Sequence, residues 1–152
     1  MDNVIPPFEF PTLIKYKKVG TGIQPKFATP GAACFDIYSS SGGIVKSHQS
    51  ALFNTGLAFE LPPRFVMLVF SRSGQGFNYG IRLANSVGVI DSDYRGELKV
   101  KLYNDSDVDY LVVEGDRIAQ AMVLPLPNIT FYETDELSNS ERGTGGLGST
   151  GK

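Results

Sequence analysis

The stretch Gly88-Val-Ile-Asp-Ser-Asp-Tyr-Arg-Gly-Glu-Leu-Lys-Val-Lys-Leu102 carries the pattern that decides the fold. From Leu98 to Leu102 apolar residues alternate with lysines, which is typical of a β-strand with one buried face and one solvent-exposed face. At the beginning of the stretch, Val89 and Ile90 also suit a strand. The stretch therefore predicts two strands with a polar turn between them.

The polar turn holds two carboxylates, an aromatic ring and a guanidinium group between two glycines. Such residues are common in ordinary turns, where Asp and Ser side chains hydrogen-bond their own backbone. They are also typical of a binding or catalytic site at the end of a strand, where a rigid scaffold supports the loop. The turn alone leaves both interpretations open. Asp91 is the first catalytic candidate.

The rest of the chain favours an all-β fold. Seventeen glycines and nine prolines interrupt the 152 residues so often that few windows suit a full amphipathic helix. Further strands are predicted over Gln49–Leu61, Phe65–Phe70, Tyr110–Val113 and Ile118–Leu124, with an acidic turn at Asn104–Asp109. Short strands at this spacing indicate a β-sandwich or β-barrel. The length suits a single domain over residues 1–152.

The composition argues against several classes of protein. The single cysteine, Cys34, allows no internal disulfide, and the single histidine, His48, leaves no cluster for zinc or another soft metal. The net charge is −2, and the largest basic group is Lys15, Lys17 and Lys18. We therefore expect no binding of polymeric nucleic acid. A small anion bound by a few placed groups remains compatible with this charge.

The amino-terminal residues lack the basic and apolar regions of a signal peptide. Phe65–Phe70 is far shorter than the ~20 residues that a membrane helix needs. We therefore expect a soluble intracellular protein without a membrane partner, either cytoplasmic or, in a eukaryotic host, nuclear.

The carboxy-terminal tail, from Ser138 onward, is rich in glycine. Residues 143–148 match the dinucleotide pattern G-x-G-x-x-G, and residues 146–152 resemble the start of a Walker A loop. Both motifs act between a strand and a helix, and the surrounding sequence indicates neither element, so we assign neither motif. The glycine N–H groups, together with Arg142, Ser149 and Thr150, could still bind an anion. A mobile terminus is the alternative.

Five segments in order resemble the motif blocks of the trimeric all-β dUTP pyrophosphatases, or dUTPases. The resemblance runs from about Lys26 to the last residue. The blocks are Thr29-Pro-Gly-Ala-Ala-Cys-Phe-Asp-Ile37, Phe70-Ser-Arg-Ser-Gly74, Asn85–Gly96, Gly115-Asp-Arg-Ile-Ala-Gln120 and Arg142–Gly151. Each block is weak evidence alone, whereas five in register are specific.

The resemblance implies a jelly-roll-like β-barrel or sandwich protomer with a flexible glycine-rich arm at residues 138–152. It implies a homotrimer with active sites at subunit interfaces, and it leaves residues 1–25 poorly matched. The implied reaction is hydrolysis of dUTP to dUMP and pyrophosphate, which limits uracil in DNA and supplies dUMP for thymidylate synthesis. The implied cofactor is Mg²⁺, held through substrate phosphates and waters with no direct protein ligand.

The matched blocks assign expected roles to the phosphate end of the site. Asp91 resembles the carboxylate that deprotonates the water attacking the α-phosphate, and Asp36 resembles the acidic residue that supports the metal waters indirectly. The matched phosphate contacts are Arg72, Ser73, Gly74 and Gln120. The matched arm residues, which would bind the outer phosphates and stabilise the leaving group, are Arg142, Gly148, Ser149 and Thr150.

The third block is expected to recognise the nucleoside. Asn85 matches the residue that reads the uracil edge, with backbone and shape recognition from Gly88, Val89 and Ile90. Tyr94 matches the ring that packs beneath the deoxyribose and excludes a ribose 2′-hydroxyl, although a buried core tyrosine is the alternative. The arm departs from the family pattern, because Leu147 stands where an aromatic residue usually stacks on uracil.

Two other functions compete with this interpretation. A dCTP deaminase shares the fold and the triphosphate site but needs a further acid/base group beside the pyrimidine, and ammonia release would identify it. A non-catalytic trimer that senses nucleotide or binds an unidentified protein is the other.

The remaining polar and apolar positions have structural expectations. Asp93 and Arg95 have no matched catalytic role, so we expect these two residues to stabilise the turn or to lie at a subunit interface. We expect Cys34 and Phe35 in the core and His48 at the surface.

Overall fold

The computed structural model describes residues 12–147 and residue 149. The described chain forms eleven strands and one short helix. These are β1 (Lys15–Lys18), β2 (Lys26–Phe27), β3 (Phe35–Tyr38), β4 (Gly43–Val45), β5 (Ser50–Glu60), β6 (Phe65–Phe70), α1 (Ser73–Tyr79), β7 (Ile81–Leu83), β8 (Val87–Ile90), β9 (Glu97–Asn104), β10 (Tyr110–Val112) and β11 (Arg117–Pro125).

The strands form three antiparallel sheets. The orders are β1-β5-β9-β7 in a four-stranded sheet, β2-β3-β11-β6-β8 in a five-stranded sheet, and β10-β4 in a two-stranded sheet. Buried apolar side chains from all three sheets form one continuous cluster, which includes Ile37, Phe53, Met67, Val112 and Ile118. This layered arrangement around one core agrees with the predicted jelly-roll-like all-β fold.

The alternation in β9 has the predicted structural consequence. Leu98, Val100 and Leu102 are buried, and the intervening lysines are exposed. Strand β9 pairs along β5, with Phe53 opposite Val100. The apolar face of β9 therefore packs into the core while its lysines face outward.

Four of the predicted strands match observed strands within one residue at each end. Gln49–Leu61 corresponds to β5, Phe65–Phe70 to β6, Tyr110–Val113 to β10 and Ile118–Leu124 to β11. Helix α1 was not expected in this glycine-rich stretch. It is only seven residues long and ends at Gly80, whose left-handed φ of 67° closes the last turn. Gln75 anchors it by donating to the hydroxyl of Tyr110 at 3.3 Å.

The acidic turn between β9 and β10 is confirmed, and a buried amide holds it. The side-chain amide of Asn104 donates to the carbonyl of Val45 at 3.0 Å and to that of Val108 at 2.7 Å. Its oxygen accepts from the backbone N–H of Ser106 at 2.9 Å. Asn104 is fully buried, so these bonds satisfy groups that water cannot reach.

Three smaller expectations have different outcomes. Phe35 belongs to the core, as predicted. Cys34 is only half-buried, because it lies just before β3 and outside the core cluster; the burial that it does have raises the pKa of its thiol. His48 lies at the surface, as predicted, with Nε2 2.8 Å from Asp107.

Within residues 12–147 and 149, the structure contains no helix with the length and apolarity that a membrane crossing requires.

Candidate active site

Three neighbouring strands of the five-stranded sheet bring the first, second and fourth blocks together. On β11, Gln120 lies opposite Asp36 of β3 on one side and opposite Phe70 of β6 on the other. Arg72 lies two residues after the end of β6 and immediately before α1. Asp36, Gln120 and Arg72 therefore share one end of this sheet, although the sequence separates them widely.

A charged cluster forms at this end of the sheet. The carboxylate of Asp36 lies 3.4 Å from Nε of Arg72 and 3.3 Å from an Nη of Arg117. Arg72 also donates to the backbone carbonyl of Arg117 at 3.1 Å. The Asp36 side chain is 13% exposed, and the Arg117 side chain is 48% exposed. One sheltered carboxylate thus orients two guanidinium groups, and the more exposed one faces solvent.

Sequence reasoning missed Arg117. The available signal was its position in the fourth block, three residues before Gln120, on the same strand. Its contact with Asp36 depends on a register shift in the β3–β11 pair between Arg117 and Ala119. A β-bulge of this kind redirects a side chain, and no residue pattern in the block specifies it.

The loop after β6 is held from two sides. The Gln120 side chain donates to the carbonyl of Ser71 at 3.1 Å, and the Ser71 hydroxyl accepts the N–H of Leu83 at 2.9 Å. Ser73 and Gly74 then begin α1, and both residues are exposed. These bonds fix the loop that presents Arg72.

A cavity of about 450 Å³ lies between β8 and β9. Strand β8 pairs with β6, whereas β9 pairs with β5 and β7, so the two strands diverge and leave a gap. The cavity lining includes Asn85, Gly88, Val89, Ile90, Leu98, Lys99 and Lys101. Its volume falls within the range of small-molecule sites. The predicted nucleoside-binding residues of β8 therefore share one cavity, and the two lysines are lining residues that sequence reasoning did not assign.

The entrance to β8 is a tight, strained turn. Ser86 has a left-handed φ of 63°, and the N–H of Val87 donates back to the carbonyl of Asn85 at 2.7 Å. A side-chain carbon built at Gly88 would lie 3.1 Å from Cβ of Val69. Backbone strain of this kind often occurs at ligand sites. The turn holds Asn85 at the cavity.

Asp91 follows β8 and is exposed. Hydrogen bonds within the turn hold its shape. The N–H of Tyr94 donates to the carbonyl of Asp91 at 3.2 Å. The guanidinium of Arg95 donates to the carbonyls of Ser92 at 2.7 Å and Tyr94 at 3.1 Å. This gives Arg95 the structural duty that the sequence analysis expected. Tyr94 is 46% exposed, so it is no core tyrosine.

The structure does not bring Asp91 to the charged cluster within one chain. Because Phe70 pairs with Val87 and Met67 with Ile90, β8 runs away from the Arg72 end of the sheet. Asp91 therefore lies opposite the start of β6, roughly 20 Å from Arg72 at about 3.4 Å per strand residue. One protomer therefore holds the predicted base, Asp91, and the charged cluster around Arg72 at separate places.

Most of the described part of the arm is exposed. Arg142 donates to the carbonyl of Gly145 at 2.9 Å, and turns form over residues 140–143 and 142–145. Leu147 is fully exposed. The predicted contacts Gly148 and Thr150 lie outside the described residues.

A larger cavity of about 920 Å³ lies elsewhere in the fold. Its lining is mainly apolar and includes Ile14, Tyr16, Phe27, Phe59, Phe65 and Leu124. None of the predicted site residues lines it, and its aromatic walls offer no cation for a phosphate.

Comparison with known proteins gives consistent similarities. A family model described as dUTPase matches residues 21–151. The deoxyuridine 5'-triphosphate nucleotidohydrolase of Nautilia profundicola is 43% identical over 140 residues, which cover 91% of this chain and 99% of the relative. That of Desulfitobacterium hafniense strain DCB-2 is 48% identical over 130 residues, which cover 84% of this chain and 86% of the relative.

Solved structures show the same fold. The dUTPase of Staphylococcus bacteriophage 80alpha, solved with dUPNHPP, has a TM-score of 0.85 and 25% identity, covering 92% of this chain and 99% of that chain. A dUTPase variant from phage phi11 of S. aureus, described with a structural Mg(II) ion, has a TM-score of 0.77 and 20% identity, covering 84% of this chain and 99% of that chain. The predicted fold class is confirmed.

Proposed function

This chain belongs to the dUTPase family, and we propose from that premise that it hydrolyses dUTP to dUMP and pyrophosphate in a homotrimer. The observation that carries the proposal is the arrangement of four of the five motif blocks. Three of them form a cationic cluster at the end of one sheet, and a fourth lines a cavity of about 450 Å³. A cluster for phosphates and a cavity for a pyrimidine are the two parts that this substrate needs.

Asp91 is the proposed general base. Its exposed carboxylate, on a turn stapled by Tyr94 and Arg95, is accessible to water. It accepts a proton as the water oxygen bonds to the α-phosphorus, while the bond from that phosphorus to the bridging oxygen of the β-phosphate breaks. Pyrophosphate then leaves with the bond electrons.

The charged cluster is the proposed phosphate site. Arg72 and Arg117, oriented by Asp36, offset the negative charge that grows on the leaving group. Ser73, Gly74 and Gln120 complete this group. The arm adds Arg142, Ser149 and the undescribed Gly148 and Thr150, with Leu147 covering the base.

The residues of the proposed site are compatible with a Mg²⁺ ion that binds together with the nucleotide. Among the described residues there is no group of three His, Cys, Asp or Glu side chains that could hold a metal. A bound Mg²⁺ would therefore take its oxygens from the triphosphate and water, neutralise phosphate charge, and lie near Asp36 only indirectly.

The cavity between β8 and β9 is the proposed nucleoside site. Asn85 and the backbone from Gly88 to Ile90 would read the uracil edge, since these groups line the cavity. Tyr94 would pack against the deoxyribose and exclude a 2′-hydroxyl group. In the cell this activity limits uracil in DNA and supplies dUMP for thymidylate synthesis.

The family resemblance implies the trimer, and the geometry of one chain supports a site shared between copies. Asp91 and Arg72 lie at opposite ends of the five-stranded sheet, so residues of another copy would bring the two parts of the site together. After β11, the chain exposes Ile129, Phe131 and Tyr132, the aromatic pair by 96% and 88%. We propose that these apolar side chains pack into the apolar cavity of about 920 Å³ in another copy.

A nucleotide panel tests the proposed function. Pyrophosphate and ammonia are measured with dUTP, dCTP, dTTP and UTP in the presence of Mg²⁺. We expect pyrophosphate release from dUTP in large preference to the other three. Ammonia release from dCTP would instead identify a deaminase, and no turnover of any nucleotide would refute the enzymatic assignment.

A further inference from the structure

Gly96 lies directly against the ring of Tyr94. A side-chain carbon built at Gly96 would lie 2.5 Å from Cζ and 2.9 Å from Cε2 of Tyr94, and would also overlap the hydroxyl oxygen. Real side-chain carbons do not approach this closely. The φ of Gly96 lies outside the left-handed region, so its backbone conformation does not require glycine. The ring of Tyr94 fills the space that a side chain at position 96 would occupy, so a substitution there would make the ring move.

The ring of Tyr94 is held in this position at its far end. Its hydroxyl donates to the backbone carbonyl of Glu97 at 3.1 Å. That acceptor is itself fixed, because the Glu97 carboxylate accepts the N–H of Gly56 in β5 at 2.8 Å. The ring is thus held by the hydrogen bond to Glu97 and by contact with Gly96, while 46% of the Tyr94 surface is exposed to solvent.

We infer that Gly96 is a positioning residue for sugar selection: the absence of a side chain lets the Tyr94 ring lie flat against the chain, where it excludes a ribose 2′-hydroxyl. The inference rests on the proposed function, which gives Tyr94 its contact with the sugar. It adds a specificity role for a residue that would not touch the nucleotide.

The physical consequence of a side chain at position 96 follows from contact distances. Carbon atoms pack at about 3.5–4.0 Å, so a methyl group at Gly96 would displace the ring by about 1 Å. Because Tyr94 is 46% exposed, its ring can move outward into solvent, and this movement would lengthen the hydrogen bond from its hydroxyl to the carbonyl of Glu97. Loss of the bond to Glu97 removes the remaining restraint. The space beneath the sugar would then open.

The test measures kcat/KM for dUTP and for UTP in the parent protein, Gly96→Ala, Tyr94→Ala and the double variant. We expect Gly96→Ala to lower the ratio of dUTP to UTP at least tenfold. In the Tyr94→Ala background, the same change should alter this ratio less than twofold, because Gly96 acts only through the ring. Gly76→Ala is the matched control, since a side-chain carbon at Gly76 would make only an ordinary contact of 3.8 Å with the carbonyl oxygen of Ile81; it should leave the ratio unchanged.

The possible outcomes separate the inference from the proposed function. If the parent protein does not hydrolyse dUTP, the proposed function fails. If the parent discriminates and Gly96→Ala keeps the parental ratio, or if the two substitutions act additively on the ratio, the inference alone fails. If Gly96→Ala does not fold, the double variant decides: recovery of the thermal midpoint supports the ring contact, and continued misfolding overturns it.

Discussion

The carboxylate of Asp36 on β3 lies 3.4 Å from Nε of Arg72, which immediately precedes α1. The same carboxylate holds Arg117 at 3.3 Å. Because this carboxylate is sheltered, its charge orients both guanidinium groups more strongly than an exposed pair would. The position of the two cations that we propose for phosphate binding therefore depends on a residue that need not touch the substrate.

Replacing Asp36 by Asn should weaken this orientation. Asn keeps the size of the side chain but removes the charge that the two arginines share. We expect kcat/KM for dUTP to fall about tenfold or more, which corresponds to roughly 1.4 kcal/mol. Steady-state kinetics measures it. Glu60→Gln is the control, since Glu60 pairs with Lys15 at the exposed surface; an equal loss in both variants would contradict the prediction.

Replacing Asp91 by Asn should remove the general base. Such a base contributes about 10²–10⁴ in rate, so kcat for pyrophosphate release should fall by that factor while nucleotide binding persists. Calorimetry with a non-hydrolysable dUTP analogue measures the binding. Asp93→Asn, in the same turn, should retain most activity. Parental turnover in Asp91→Asn would exclude Asp91 as the base.

Replacing Leu147 by Phe should tighten closure of the arm. Aromatic stacking on a base is worth about 1–3 kcal/mol relative to alanine, and a leucine supplies only its dispersive part. We expect KM for dUTP to fall roughly threefold on the same scale, while Leu147→Ala raises it. Unchanged KM and nucleotide affinity in both variants would show that residue 147 does not cover the base.

Replacing Phe131 and Tyr132 by Ser should disrupt the proposed trimer. Both side chains are almost fully exposed in one protomer, so burial in a neighbour would account for them. Light scattering after size exclusion should show a shift from trimer to monomer, with loss of dUTP hydrolysis. Phe77→Ser, at a phenylalanine of α1 that is 90% exposed, should remain trimeric. A trimeric double variant would contradict the docking of this segment.

Replacing Asn104 by Ala should destabilise the fold without altering the site. The change leaves the buried carbonyl of Val45 and the N–H of Ser106 without their partner. We expect a loss of about 2–4 kcal/mol in unfolding free energy, measured by denaturant titration. Ser47→Ala, which removes a hydroxyl bond to Ser106 at 2.8 Å, should cost less. Equal losses would mean that burial of the amide is unimportant.

The strands with regular patterns were predictable from sequence, and the site was predictable only in parts. Local alternation in β9 and the apolar runs of β6 and β11 fix their own conformation, since burial of one face needs no other information. Helix α1 was not predicted because its segment is rich in glycine. It is stabilised by the hydrogen bond from Gln75 to Tyr110, a tertiary contact, and by the left-handed conformation of Gly80 at its end. Arg117 escaped because a register shift brings it to Asp36.

The sequence by itself determined the all-β class, the family and the chemical groups of the motif blocks, because these depend on residue type and local spacing. Only the tertiary structure decided which blocks meet. The register of β3, β11 and β6 joins Asp36, Gln120 and Arg72 at one end of the sheet. The antiparallel course of β8 carries Asp91 to the other end. Strand pairing is set by long-range packing, so the residues alone could not reveal this separation.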